Sequence, residues 1–281
     1  MPIMNLKGWI ECDGVRLMPN AVERMLSEGG KSLARCGGEF LLTWDNCTAR
    51  DAFGIMPGPV PPGTVCCNGR EAARIAPDPA PCALEEAIVT AIDLRSDEGV
   101  VAFSGGVDSA LIAHLARLPC VTVGLRGSHD IRVATAAARM MGLDLDVVTP
   151  TEEEVAEALA RVVRVIPDPT NPVEASIATT LSFVTAWAKE RGHTRILAGQ
   201  GADELFGGYA PDLAAELERD FADHGRQRVR DQAVAALHGA YFSMPYLDVR
   251  VVRAARAIPA REKVRGGGRK HPLREIAARY I

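Results

Sequence analysis

The apolar run Gly99-Val100-Val101-Ala102-Phe103 leads directly into Ser104-Gly105-Gly106-Val107-Asp108-Ser109, and the helix-forming stretch Ala110-Leu111-Ile112-Ala113-His114-Leu115-Ala116 follows. That order dictates a local shape. A buried strand stops at a tight turn, and a helix begins with its N-terminus over the strand's end. The two glycines can take φ > 0 and let backbone amides approach an anion. The positive end of the helix points at the same spot. Ser104 and Ser109 add hydroxyl donors, and Asp108 adds a carboxylate suited to Mg²⁺. No Gly-Lys-Ser/Thr follows, so this is not a Walker loop. The same residues would also serve as an ordinary strand-turn-helix corner. The phosphate reading therefore needs partners elsewhere in the chain.

The surrounding pattern supplies a sheet for them. Apolar runs predict strands over Val100–Phe103, Cys120–Leu125, Leu145–Val148 and Arg195–Ala198. Helical periodicity covers Ala83–Leu94 and, approximately, 109–117, 130–142, 151–163, 174–191 and 203–219. Strands alternating with helices predict an α/β fold with a parallel sheet, whose ligands sit beyond the carboxyl ends of the strands. The first and fourth predicted strands both end in glycine-rich turns, the second being Gly199-Gln200-Gly201. Residues 1–75 read differently: short apolar stretches broken by Gly and Pro, as in a small set of β-strands. Residues 76–82, Ala-Pro-Asp-Pro-Ala-Pro-Cys, have the composition of a stiff linker. The expected organisation is a β-rich unit over 1–75, a linker over 76–82 and an α/β domain over 83–281.

Charge and cysteine content narrow the function. The net charge of −4 argues against a dedicated nucleic-acid partner. No run is long and apolar enough to span a bilayer, and residues 1–7 lack a signal-peptide core, so no membrane partner and a cytoplasmic location are expected. Seven cysteines without any Cys-x-x-Cys pair predict reduced thiols and no zinc site.

Two further segments add chemistry. Residues 197–209 read Leu-Ala-Gly-Gln-Gly-Ala-Asp-Glu-Leu-Phe-Gly-Gly-Tyr. Asp203 and Glu204 would complement a helix N-terminus. Asp203 also follows a strand of the same sheet as Asp108, so the two could share one Mg²⁺ bridging phosphates. Residues 263–275, Lys-Val-Arg-Gly-Gly-Gly-Arg-Lys-His-Pro-Leu-Arg-Glu, combine a flexible glycine loop with cations that suit a triphosphate. Alone, that run reads better as a solvated basic tail.

Taken together, these segments resemble the synthetase domain of the asparagine synthetase family, which belongs to the pyrophosphatase-loop, or N-type, ATP-using enzymes. Ser104–Ser109 matches the family's pyrophosphate loop, and Gly199–Tyr209 its Gly-Glu-Gly-Ala/Ser-Asp-Glu-Leu-Phe-Gly-Gly-Tyr segment. Val123–Asp130 is similar to the stretch after the second strand, Ser243–Asp248 to an Arg-x-Pro-Phe-Leu-Asp signature, and Lys270–Glu275 to Lys-x-x-Leu-Arg-Glu. Gly38-Glu39-Phe40, Trp44-Asp45, Arg50–Pro57 and Pro62-Gly63 resemble the closing strands of the family's glutaminase domain. The family's N-terminal cysteine nucleophile has no counterpart at Pro2, and Cys12 lies too far in. Residues 1–75 are thus expected to be a shortened remnant without glutamine hydrolysis.

The resemblance implies an ATP-dependent, AMP-forming amide ligase acting on a small-molecule carboxylate, with aspartate as acceptor and ammonia as nucleophile. The ammonia could come from a separate glutaminase subunit. It implies ATP and Mg²⁺ as cofactors. Ser104, Gly105, Gly106, Val107, Asp108 and Ser109 would hold pyrophosphate. Phe103, Val123, Ala198 and Gly199 would line the adenine slot. Asp108 and Asp203 would hold the metal, and Lys270, Gln200 and Glu204 would be catalytic. Gln200 departs from the family, which has glutamate there; an amide orients a substrate but is no base near neutral pH. Gln200→Glu is accordingly expected to raise amide formation from ammonia. The family usually extends well past the Lys-x-x-Leu-Arg segment, whereas this sequence ends at Ile281, so a substrate-covering element would be missing. Two alternatives stay open: the same adenylation on another carboxylate, and a catalytically weak nucleotide-binding partner of a larger synthetase.

Overall fold

A computed structural model describes residues 4–27, 31–207, 214–265 and 268–281. Its first part is an antiparallel sheet of β1 (Met4–Cys12), β2 (Val15–Arg16), β3 (Gly37–Trp44), β4 (Cys47–Arg50), β5 (Thr64–Cys67) and β6 (Arg70–Arg74), in the order β2-β1-β3-β4-β5-β6. Phe40, Leu42 and Trp44 recur with period two along β3 and pack with Ile10, Val65 and the helix α1 (Pro19–Ser27), whose Val22 and Leu26 are buried. The reduced-thiol expectation fails here. Cys12 is joined to Cys36, and Cys47 to Cys67. The cause is strand register, which spacing alone does not reveal. Cys47 and Cys67 stand opposite each other on β4 and β5, and Cys12 and Cys36 continue the β1–β3 pairing by one position beyond Glu11 and Gly37. Cys66, Cys82 and Cys120 remain thiols; burial pushes Cys120 up to about 12, so it is unreactive.

The α/β part follows the expected alternation. In chain order it contains α2 (Leu84–Asp93), β7 (Val100–Ala102), α3 (Val107–Ala116), β8 (Cys120–Val123), α4 (His129–Met141), β9 (Leu145–Val148), α5 (Glu152–Val162), α6 (Pro172–Glu190), β10 (Arg195–Leu197), α7 (Ala202–Phe206), α8 (Ala214–Ala236), β11 (Tyr241–Ser243), α9 (Val249–Ala257), α10 (Ala260–Lys263) and α11 (His271–Ala277). The sheet is parallel throughout, in the order β11-β10-β7-β8-β9. The chain steps from β7 outward to β9, then crosses back to place β10 on the other flank of β7. The crevice between β7 and β10 is therefore a topological switch point, the place where open α/β sheets bind ligands.

Two elements differ from the sequence expectation. Strand β11 is not among the predicted strands; Tyr241-Phe242-Ser243 is a three-residue run, and pairing with β10 decides it. The helix expected over 203–219 is interrupted: α7 ends where Gly207 turns left-handed at φ +77°, and α8 runs on to Ala236. Gly208 and Tyr209 of the motif, Gly266 and Gly267 of the glycine loop, and Pro2 lie outside the described residues.

A buried ionic chain ties the two sheets together. The fully buried Glu39 accepts hydrogen bonds from Arg95 Nε (2.9 Å), the Met244 amide (2.9 Å), Ser243 Oγ (2.6 Å) and Trp9 Nε1 (3.4 Å). Arg95 also reaches Asp248 (3.1 Å), and Arg250 bridges Asp248 (3.2 Å) to Glu11 (2.9 Å). Charges survive such burial only when paired and hydrogen-bonded, as these are.

Candidate active site

The two glycine-rich loops meet at the switch point. Gly105 (φ +78°) carries the first loop against α4, where a Cβ would lie 2.9 Å from Ala134 Cα. Gly199 carries the second against the first: a Cβ there would stand 3.1 Å from Asp108 Cβ. The loop after β7 is braced from within. Ser109 Oγ accepts from the Ser104 amide (3.1 Å), lies 3.1 Å from Ser104 Oγ and donates to the Gly106 carbonyl (3.1 Å). The first amides of α3, from Val107 onward, have no carbonyl above them within the helix and face the crevice end of the sheet.

Lys270 joins three distant segments. Its Nζ sits 2.5 Å from Asp108 Oδ2 and 2.8 Å from Asp203 Oδ1. Lys270 itself is left-handed (φ +56°) at the start of α11, whose Leu273 and Ile276 are buried in the main core. Burial pushes Asp108 above its ordinary value, with Lys270 opposing and Asp203 adding to the shift. Burial alone would lower Lys270, but Asp108 and Asp203 more than offset it and hold it above its ordinary value. Asp108 Oδ1 is buried and has no hydrogen-bond partner among the described residues. An orphaned acceptor beside a second converging carboxylate is a donor set that fits a hard divalent cation.

A cavity of about 250 Å³ opens beside this pair, bounded by Ala102, Ser104, Asp108, Ser109, Ala198, Gly199, Gln200, Asp203, Glu204 and Gln227. The sequence-predicted residues are only partly gathered there. Ser104, Asp108, Ser109, Ala198, Gly199, Gln200, Asp203 and Glu204 border it, and Lys270 reaches it through the aspartates. Gly105, Gly106 and Val107 form the turn behind it. Val123 lines a separate apolar cavity of about 530 Å³ with Leu125, Pro150 and Phe183. Phe103 has its side chain buried in the core with Leu111 and Ile112, which leaves its backbone for a ligand. The basic run is also not uniform, since Lys263 is buried on α10 and Arg274 Nε donates to the Arg269 carbonyl.

Sequence reasoning missed three contributors. Tyr246 donates its hydroxyl to the Asp108 carbonyl (3.0 Å) and packs edge-on against Phe206. Burial, reinforced by Asp108, raises it well above a normal phenol, so it stays a donor. It lies inside the quoted segment Ser243–Asp248, which was the available signal. Gln227 and Asp231 of α8 carried no motif. Asp231 accepts from Gln200 Nε2 (3.1 Å). That contact changes the expected outcome of Gln200→Glu, which would set one carboxylate against another.

Fold and loop geometry together define an α/β protein with a glycine-rich, carboxylate-lined crevice at its switch point. The asparagine synthase family model matches residues 83–237 and 224–281, and the chain belongs to that family. A protein of Methanocaldococcus jannaschii named asparagine synthetase [glutamine-hydrolyzing] 1 is 32% identical over 198 residues, covering 65% of this chain and 36% of the relative. Asparagine synthetase B of Escherichia coli K12 is 26% identical over 229 residues, covering 71% and 41%. The chain thus spans about two fifths of these curated relatives. Among solved structures, a predicted tRNA methyltransferase subunit of M. jannaschii (TM-score 0.34, 18% identity, 64% of this chain and 74% of that one) and an NH3-dependent NAD synthetase of Campylobacter jejuni (TM-score 0.32, 11% identity, 52% and 75%) are distant likenesses. No helix among the described residues is long and apolar enough to cross a membrane.

Proposed function

We propose that this chain is an ATP-dependent, AMP-forming amide ligase of the asparagine synthetase type, converting aspartate, ammonia and ATP to asparagine, AMP and pyrophosphate. The observation that carries the reading is the convergence of Asp108 and Asp203 on Lys270 at the crevice between β7 and β10. Residues 83–281 form the synthetase unit. Residues 1–75 form a glutaminase-like sheet docked on it across the linker 76–82. Both curated relatives are named as glutamine-hydrolysing, which supports ammonia as the nucleophile, free or delivered by a glutaminase.

Placement supports each role. The turn Ser104–Ser109 and the start of α3 hold the pyrophosphate by backbone amides and hydroxyls. Ala198 and Gly199 flank the nucleotide where only small groups fit. Asp108 and Asp203 hold Mg²⁺, which when bound offsets the negative charge gathering on the phosphates. Lys270 serves as the mobile cation near the α-phosphate as the carboxylate attacks it. Gln200 and Glu204 border the space where the amine meets the acyl group.

A second reading, adenylation of a different carboxylate, is favoured by one feature: two neutral amides, Gln200 and Gln227, border the cavity. Pyrophosphate release from Mg·ATP with a panel of acids and ammonium tests both. Turnover with aspartate supports the first and turnover only with another acid the second. ATP binding without turnover with any acid defeats both and leaves a nucleotide-binding partner.

A further inference from the structure

The amide of Gln200 is not free to choose which end it shows to the cavity. Its Nε2 lies 3.1 Å from Asp231 Oδ2, and Asp231 is fully buried. The other oxygen of Asp231 is taken by Arg230, whose Nε and Nη2 each lie 2.7 Å from Oδ1. Arg230 is held in turn by Glu174 through Nη1 at 2.9 Å. Next in sequence, Gln232 is clamped to β11, donating to the Phe242 carbonyl (2.7 Å) and accepting from the Phe242 amide (3.0 Å). This stretch of α8 is therefore fixed on both sides.

A carboxylate gripped by a guanidinium only accepts hydrogen bonds. Whatever Gln200 turns toward Asp231 must then be a donor. The NH2 end is committed, and the carbonyl oxygen is left for the cavity side. We infer that Asp231 is a positioning residue: it turns the Gln200 amide so that an acceptor oxygen faces the reaction cavity and holds an N–H of the attacking amine. The inference rests on the ligase reading. It assigns Gln200 no proton transfer, because an amide oxygen is too weak a base.

The arrangement makes Asp231→Asn informative, because asparagine has only one oxygen. Arg230 requires that oxygen, so the asparagine NH2 turns to Gln200. Gln200 must then rotate its carbonyl toward position 231 and show its NH2 to the cavity. The wall changes from acceptor to donor with almost no change in shape. Gln200→Glu alone sets carboxylate against carboxylate, whereas Gln200→Glu with Asp231→Asn restores a donor–acceptor pair and returns an acceptor to the cavity.

Two measurements on the full chain test this. In steady-state assays with Mg·ATP, L-aspartate and ammonium chloride, Asp231→Asn should raise the ammonium KM by about tenfold or more, one lost hydrogen bond to a cation-forming amine. The ATP KM should stay within about twofold. The double variant should recover most of the loss seen in either single variant. An unchanged ammonium KM, an equal rise in both KM values, or additive losses in the double variant would overturn the inference. The second measurement needs no turnover. Gln200 side-chain amide protons, assigned by their disappearance in Gln200→Leu, should exchange slowly in the wild type and quickly in Asp231→Ala. Fast exchange in the wild type, or unaltered protection in Asp231→Ala, would overturn it. If the wild type makes no pyrophosphate from aspartate, the functional reading fails while the exchange experiment still decides the orientation of Gln200.

Discussion

Glu39→Gln keeps the shape of a fully buried side chain and removes its charge. Four donors converge on Glu39: Arg95 Nε and the Met244 amide on Oε1, Ser243 Oγ and Trp9 Nε1 on Oε2. Glutamine has one oxygen to offer. Placed on the Arg95 side, it turns its NH2 toward Ser243, whose hydroxyl can rotate to accept, and toward Trp9, which cannot. Arg95 keeps Asp248 but loses half of its counter-charge at 2% exposure. Breaking a buried pair by removing one partner costs about 3–5 kcal/mol, and retention of Asp248 argues for about 3. Glu39→Ala strands all four donors and opens a cavity, so it should cost about 5 kcal/mol or more. Urea unfolding followed by circular dichroism measures both. At about 2–4 °C per kcal/mol, Glu39→Gln should also lower Tm by roughly 6–12 °C. The exposed pair Arg74–Glu71 is the control: Glu71→Gln should change stability by less than about 0.5 kcal/mol. A loss below about 1 kcal/mol for Glu39→Gln would refute the claim that this carboxylate docks the two sheets.

Asp108→Asn should reduce pyrophosphate release by at least about 100-fold, the scale for losing one electrostatic stabiliser, with near-normal turnover removing Asp108 from the site. Lys270 and a divalent cation compete for the same two carboxylates, so Lys270→Met should bind Mn²⁺ without nucleotide about tenfold more tightly than wild type in titrations followed by electron paramagnetic resonance. Equal affinities would exclude that competition. Asp51 is buried and raised to about 6, chiefly by burial, although the Met56 and Ile55 amides oppose the shift. Between roughly pH 4 and 6 the folded chain keeps a proton there that the unfolded chain has shed, so this group's share of stability falls by about 3 kcal/mol as pH rises. Unfolding measured against pH should show that fall in the wild type and not in Asp51→Asn; parallel curves would contradict the assignment.

The strand-turn-helix at residues 100–116 was legible because its signals are local: an apolar run, glycines with room for φ > 0 and a helix immediately after. The second loop was legible for the same reason, and Asp108 and Asp203 could be paired because each follows a strand of one parallel sheet. Contacts that depend on register or on long-range packing were not legible. The Cys47–Cys67 link depends on β4 and β5 facing each other at one position, and β11 exists as a strand only because β10 lies beside it. Phe103 was named through the resemblance, and its side chain packs into the core just past the end of β7. Asp231 had no motif at all; its significance comes from a turn of α8 crossing Gln200. Glu39 was visible only as part of a resemblance. Its four donors come from segments up to 205 positions away.

The phosphorus products of ATP test the central claim most directly. Incubating the chain with Mg·ATP, aspartate and ammonium and following the reaction by phosphorus NMR should show AMP and pyrophosphate accumulating in equal amounts, both at least about 100-fold more slowly in Asp108→Asn. Accumulation of ADP and orthophosphate instead would contradict attack at the α-phosphorus and the account built on it.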